Sequence, residues 1–136
     1  MQRRRRNKRK LGQAGSLTVE LALLMAFVLM PMLAGVVDFG QYLLAQAVVT
    51  RAASQGALVA ARNHDAAKAG QVASDYMENA GYDTNLMNVT VDVGTVRGDP
   101  VIVQVRYDTT RMVIIPWRNI SDAMTQVQYT ATERRS

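Results

Sequence analysis

Glu20 stands on the lip of a long uncharged run, where a carboxylate is costly unless something needs it there. Leu21 to Val37 carries no charge at all, while seven of the first ten residues are Arg or Lys. The chemistry open to a lone carboxylate at such a boundary is charge pairing. An acid is mildly favoured in the first turn of a helix. A capping box is excluded, because the residue three after Ser16 is Val19. First-turn preference explains a Glu near a helix start, but not a Glu placed directly before a membrane-length run.

Other sets that could do chemistry dissolve on inspection. There is no Cys, so neither a disulfide framework nor a thiolate metal site can form. No Ser/His/Asp set or paired carboxylate site can be assembled, so no catalytic residue is assigned. His64 is the one histidine and sits in a polar helix start, where capping or exposure outweighs metal binding; no metal and no cofactor are implied. Asp38-Phe39-Gly40 spells the kinase metal-binding triplet without the accompanying Gly-rich or catalytic loop. Arg97-Gly98-Asp99 before Pro100 is explained as a turn. Asn88-Val89-Thr90 and Asn119-Ile120-Ser121 are glycosylation acceptors only in a secretory setting with that machinery.

Charge and hydropathy place the elements that must position Glu20. The chain of 136 residues holds 16 Lys+Arg against 11 Asp+Glu, for a net charge of +5. Residues 1–15 hold seven of those cations, and without them the remainder stands at −2. The basicity therefore belongs to the tail, and beside an apolar segment it reads as a cytoplasmic flank rather than a nucleic-acid patch. Leu21 to Val37 as a helix is about 26 Å long, at the low end for a bilayer core. Leu17 and Val19 extend it on one side, Phe39 and Tyr42-Leu43-Leu44 on the other. Pro31 inside it removes a backbone hydrogen bond and favours a kink. Asp38 marks the outer edge. A rival reading is a secretory signal peptide cut after Ala45-Gln46-Ala47, but the apolar core is long for one and Asp38 interrupts before the site.

Beyond the run the helix is expected to continue to about Asn63. Ala45, Val49, Ala52, Ala53, Gly56 and Ala60 share one face, with Arg51, Ser54, Gln55 and Arg62 opposite. Such a small-residue stripe suits either close approach by another helix or packing on the chain's own domain. Asn63-His64-Asp65 offers an N-cap for a second helix. Ala69, Val72, Ala73, Tyr76, Met77 and Ala80 form that helix's buried stripe, and Gly81 is its C′ residue. From Val89 the period becomes two: Val89, Val91 and Val93 alternate with Thr90, Asp92 and Gly94, and Val101, Val103, Val105 and Tyr107 with Ile102, Gln104 and Arg106. Arg97 to Pro100 joins these as a hairpin. Met112 to Ile115 is expected as a third strand ending at Pro116, and Met124 to Thr132 as a fourth, with Val127, Tyr129 and Ala131 on one face. Trp117 fills the small core or lies at an interface. The expected fold is α+β, with a long, partly transmembrane N-terminal helix, a second helix and a small antiparallel sheet.

The ordered set of a basic leader, Gly15/Ser16, Glu20, an apolar run and Val36-Val37-Asp38-Phe39-Gly40 resembles the TadE-like minor pilins, or pseudopilins, of bacterial tight-adherence (type IVc) pili. Ala52-Ala53-Ser54-Gln55-Gly56-Ala57 and Ala60-Ala61-Arg62 complete the resemblance, which covers about residues 10–62. Leu21 follows Glu20 where the short major pilins commonly place Tyr, and the chain is much longer than those subunits. Both features separate it from the major filament subunit. Pro31 lies further from Glu20 than the family's proline does.

The resemblance implies that a prepilin peptidase cuts between Gly15 and Ser16, and that Glu20 pairs with the new N-terminal amine of a neighbouring subunit. Its implied partners are that peptidase, other pilin and minor pilin subunits, the inner-membrane pilus assembly platform and membrane lipid, with no nucleic acid. The implied segments are a leader at 1–15, a transmembrane and assembly helix at 16–40 ending in the membrane-edge motif Asp38, Phe39 and Gly40, a helical stalk and second helix at 41–81, and a sheet domain at 82–136. The implied role is structural and non-enzymatic, in pilus assembly and adhesion, from the inner membrane with a cytoplasmic N-terminus and a periplasmic C-terminal domain. An uncleaved single-pass envelope scaffold and a secreted domain released by signal peptidase are the other readings.

Overall fold

A computed structural model describes residues 6–96, 98–114 and 125–134, with side chains described from residue 15 onward. Helix α1 runs Arg6–Asn63 and α2 runs Ala66–Asn79; the strands are β1 Met87–Val93, β2 Pro100–Asp108 and β3 Gln126–Arg134. The fold is α+β, as the change of period from 3.6 to 2 demands. The chain divides into two compact units, Met1–Val37 and Asp38–Ser136.

The first unit contains the N-terminal part of α1. Its apolar side chains face outward: Phe27 is 81% exposed and Met30 74%. Pro31 lies inside the helix, where its nitrogen has no hydrogen to give the carbonyl four residues back.

The second unit is a body built on one sheet, ordered β1-β2-β3 and antiparallel throughout. Val103 sits at its centre, opposite Val91 on one side and Ala131 on the other. Val101, Val103, Val105 and Tyr107 of the central strand are buried, each burial stabilising by roughly 2 kcal/mol. Asn88, Thr90 and Arg106, out of phase with them, are exposed. The two helices cover the apolar face. Ala45, Val49, Ala52, Ala53 and Ala60 of α1 are fully buried, as are Ala69, Ala73 and Met77 of α2. A Cβ on Gly56 would stand 3.2 Å from the Ala69 carbonyl oxygen and 3.3 Å from Val103 Cγ1, so α1 meets both α2 and β2 at that position. The small-residue stripe is thus the seam on which the body's own elements close.

Local signals set the element ends. The Asp65 carboxylate accepts from the Lys68 backbone N–H at 3.1 Å and caps α2. At the other end Gly81, with φ of 85°, takes the left-handed conformation, and the Tyr82 N–H reaches back to the Met77 carbonyl at 3.0 Å. Tyr82 then packs edge-to-face on Tyr107, centroids 5.4 Å apart, which fastens the α2–β1 connection to the central strand. The hairpin turn is held by the Asp99 carboxylate, which accepts from the Val96 N–H at 2.8 Å.

Three expectations need correction. Met112 belongs to a 3-10 turn, Thr110–Met112, not to a strand. The Asp108 carboxylate accepts from both the Thr110 backbone N–H and its hydroxyl, which turns the chain out of β2 before another strand can begin. Ala80 is exposed rather than buried, because α2 ends there. Tyr129 is 39% exposed although its neighbours Val127 and Ala131 are buried, since the helices cover the edge strand incompletely. Ile115 to Met124, including Pro116, Trp117 and the Asn119 acceptor, lie outside the described residues.

Candidate functional site

The candidate site is the N-terminal helix, taken from the residues upward. Gly15 lies within α1, and a Cβ built on it meets nothing within 4 Å. Ser16 and Glu20 are four residues apart, so they stand one above the other on a helical face. With Gly15, Val19, Leu23, Leu24 and Phe27 they line one shallow depression. Ser16 and Glu20 are both exposed. Helical spacing thus brings the Gly15–Ser16 bond and the Glu20 carboxylate onto the same surface, followed by leucines and a phenylalanine.

Asp38 is placed differently. Its side chain is 7% exposed, while Val37 and Phe39 on either side are 47% and 51% exposed. Its carboxylate accepts the Ile114 backbone N–H at 2.9 Å, across 76 positions of sequence. Phe39 faces outward, and a Cβ on Gly40 would meet nothing within 4 Å. Ile114 is a residue that sequence reasoning missed. Its contribution is a backbone N–H, and no side-chain pattern announces that.

The titratable groups of the body serve its turns. Asn85 donates from its backbone and side chain to Asp83 and holds that carboxyl below the usual carboxylate range. The Thr110 hydroxyl and backbone N–H do the same for Asp108, and the charge of Arg111 adds to both shifts. Burial raises the phenols of Tyr82 and Tyr107. His64 is exposed, in the left-handed region at φ of 54°, and its backbone N–H closes the end of α1 on the Ala60 carbonyl. Among the described residues no group of three His, Asp or Glu could hold a metal ion.

Within α1, the stretch Gly15–Asn63 contains a segment long and apolar enough to cross a membrane. The model of the family described as TadE-like protein matches residues 15–58. Those residues are similar to a TadE-like protein. The match begins at Gly15, takes in Glu20 and Asp38-Phe39-Gly40, and ends inside the helix that packs on the sheet. It covers about a third of the chain; α2 and the sheet lie outside it. No curated protein and no solved structure matches the chain. The match likens residues 15–58 to TadE-like proteins, and the exposed apolar helix there has the length and hydropathy of a membrane span.

Proposed function

We propose that this protein is a structural minor pilin of a tight-adherence pilus, made as a membrane-anchored precursor and shortened by a prepilin peptidase between Gly15 and Ser16. The observation that carries this reading is the coincidence of the TadE-like match, starting at Gly15, with a helix whose apolar side chains are turned outward. The basic flank holds residues 1–15 in the cytoplasm and leaves the body on the far side of the membrane. Gly15 serves cleavage twice. It offers no side chain to obstruct a protease, and it lowers the local helix stability by about 1 kcal/mol relative to Ala, which eases the unwinding a scissile bond in a helix requires. After the cut, the Ser16 ammonium of one subunit and the Glu20 carboxylate of a neighbour neutralise each other among apolar side chains. Other pilus subunits and the assembly platform are its working partners, and its role is not enzymatic.

Release by signal peptidase after Ala47 fits poorly, because it would remove Ala45, a fully buried member of the body's core. Co-expression with the cognate peptidase tests the proposal. The wild-type chain should lose its leader and begin at Ser16, while Gly15→Val should stay full-length. A wild-type chain left intact beside a control prepilin that is cut, or one beginning at Val48, refutes it.

A further inference from the structure

Between Leu21 and Thr50 the chain contains one charge, Asp38. A helix leaving the membrane into water would turn such a carboxylate out and its apolar neighbours in. Here the pattern is inverted: Asp38 is 7% exposed while Val37 and Phe39 are about half exposed. The inward turn is stabilised by the Ile114 N–H, which donates to the Asp38 carboxylate at 2.9 Å. That bond has a second effect. It fixes Ile114, itself 59% exposed, beside Asp38 of α1. One turn further on, Leu43 and Leu44 are also exposed, and past Glu20 the next outward-facing charge along α1 is Arg51.

We propose that the exposed apolar residues Phe39, Leu43, Leu44 and Ile114 lie in the lipid interface. The stretch without an exposed charge is about 30 positions long, against about 20 needed for a hydrocarbon core. The surplus falls in the headgroup region, where apolar and aromatic side chains with polar tips are favoured, and half-buried Tyr42 stands there too. Lipid is the occupant because Phe39, Leu43 and Leu44 follow the outward-facing apolar run along the α1 sequence without an intervening exposed charge. Asp38 is the positioning residue: by facing inward it leaves that surface uncharged, and through Ile114 it adds a second chain segment to it. The proposal rests on the membrane reading above.

The chain has no Cys, so single cysteines can carry an environment-sensitive fluorophore at Leu29, Leu44, Ile114 and Gln128, the last on the exposed polar face of the sheet. The full-length protein is placed in phosphatidylcholine vesicles containing lipids spin-labelled at shallow or deep positions, with iodide as the aqueous quencher. Labels at Leu44 and Ile114 should be quenched by the shallow lipid label and be several-fold less sensitive to iodide than the label at Gln128. If Leu29 escapes the lipid quenchers, the membrane reading itself fails. If Leu29 is quenched but Leu44 and Ile114 respond to iodide as Gln128 does, the span stands and the interface proposal falls. Protection of both from iodide without lipid quenching would assign the surface to a protein neighbour and overturn the proposal equally. Asp38→Ala should free the Ile114 label to iodide while the Leu44 label keeps its lipid contact; an unchanged Ile114 label removes Asp38 from its assigned role.

Discussion

The Asp38 carboxylate and the Ile114 backbone N–H, 76 positions apart, meet at 2.9 Å and close the body at its first residue. Replacing Asp38 by Ala leaves a partly buried donor without this acceptor, at a cost of about 1 to 3 kcal/mol. Asp38→Asn keeps an acceptor oxygen and should retain most of that stability. Hydrogen exchange separates the two variants: the Ile114 amide should lose protection in the Ala variant and keep most of it in the Asn variant. Equal protection in wild type and Asp38→Ala would show that the bond does not hold this segment.

Gly56 and Gly70 make a matched pair on the two helices. A Cβ at Gly70 meets nothing within 4 Å, so Gly70→Ala should raise stability by about 0.5 to 1 kcal/mol through helix propensity alone. At Gly56 the same methyl presses on the Ala69 carbonyl oxygen, which is backbone, and on Val103 Cγ1 in the middle of the sheet. Neither can withdraw easily, so Gly56→Ala should lower the melting temperature despite its better propensity. Gly56→Val should lower it further, since overpacking costs about 1 to 3 kcal/mol of stability. Thermal melts followed by circular dichroism in mild detergent would check the order of the three variants.

Asp83 and Asp108 are held below the usual carboxylate range by the donors of Asn85 and Thr110. A depressed folded-state value means that the ionised form favours the native state. The contribution is therefore complete above the unfolded value of about 4 and disappears as pH falls through the lower folded value. Urea midpoints should decline on acidification below about pH 4. The double variant Asp83→Asn, Asp108→Asn should decline less steeply. Both groups are solvent-exposed, so the difference should shrink in high salt. Parallel curves for wild type and double variant would remove these two turns from the acid response.

Glu20→Gln tests pairing without changing shape. The carboxylate lies on the retained side of the proposed cut, so processing at Gly15 should proceed normally. Assembly should suffer, because a neighbour's Ser16 ammonium would be left unpaired among apolar side chains at a cost of about 3 to 5 kcal/mol. Crosslinking and pull-down of other pilus subunits from membranes would report the loss. Normal complexes from a correctly processed Glu20→Gln protein would leave Glu20 with no assembly role.

Much of the fold is local physics, and so it was legible in the sequence. The helical period ending at Asn63, the Asp65 cap, the left-handed Gly81 and the alternation of valines in β1 and β2 depend on residues a few positions apart. The Gly15–Glu20 spacing beside an uncharged run is likewise a property of the chain itself. Tertiary structure decided what each face meets. Periodicity put Ala45 through Ala60 on one stripe but left another helix and the chain's own domain equally open; the close approach of Gly56 to Ala69 and Val103 of the same body resolves it. Asp38 read as the outer edge of the membrane segment, and only tertiary structure shows it buried, bonded to a backbone N–H 76 positions away. Met112 carried strand-like neighbours, yet the Asp108–Thr110 bonds turn the chain into a 3-10 turn before pairing can begin. A side-chain pattern says which residues travel together, and it is silent on distant backbone donors and on how far two helices can cover a third strand.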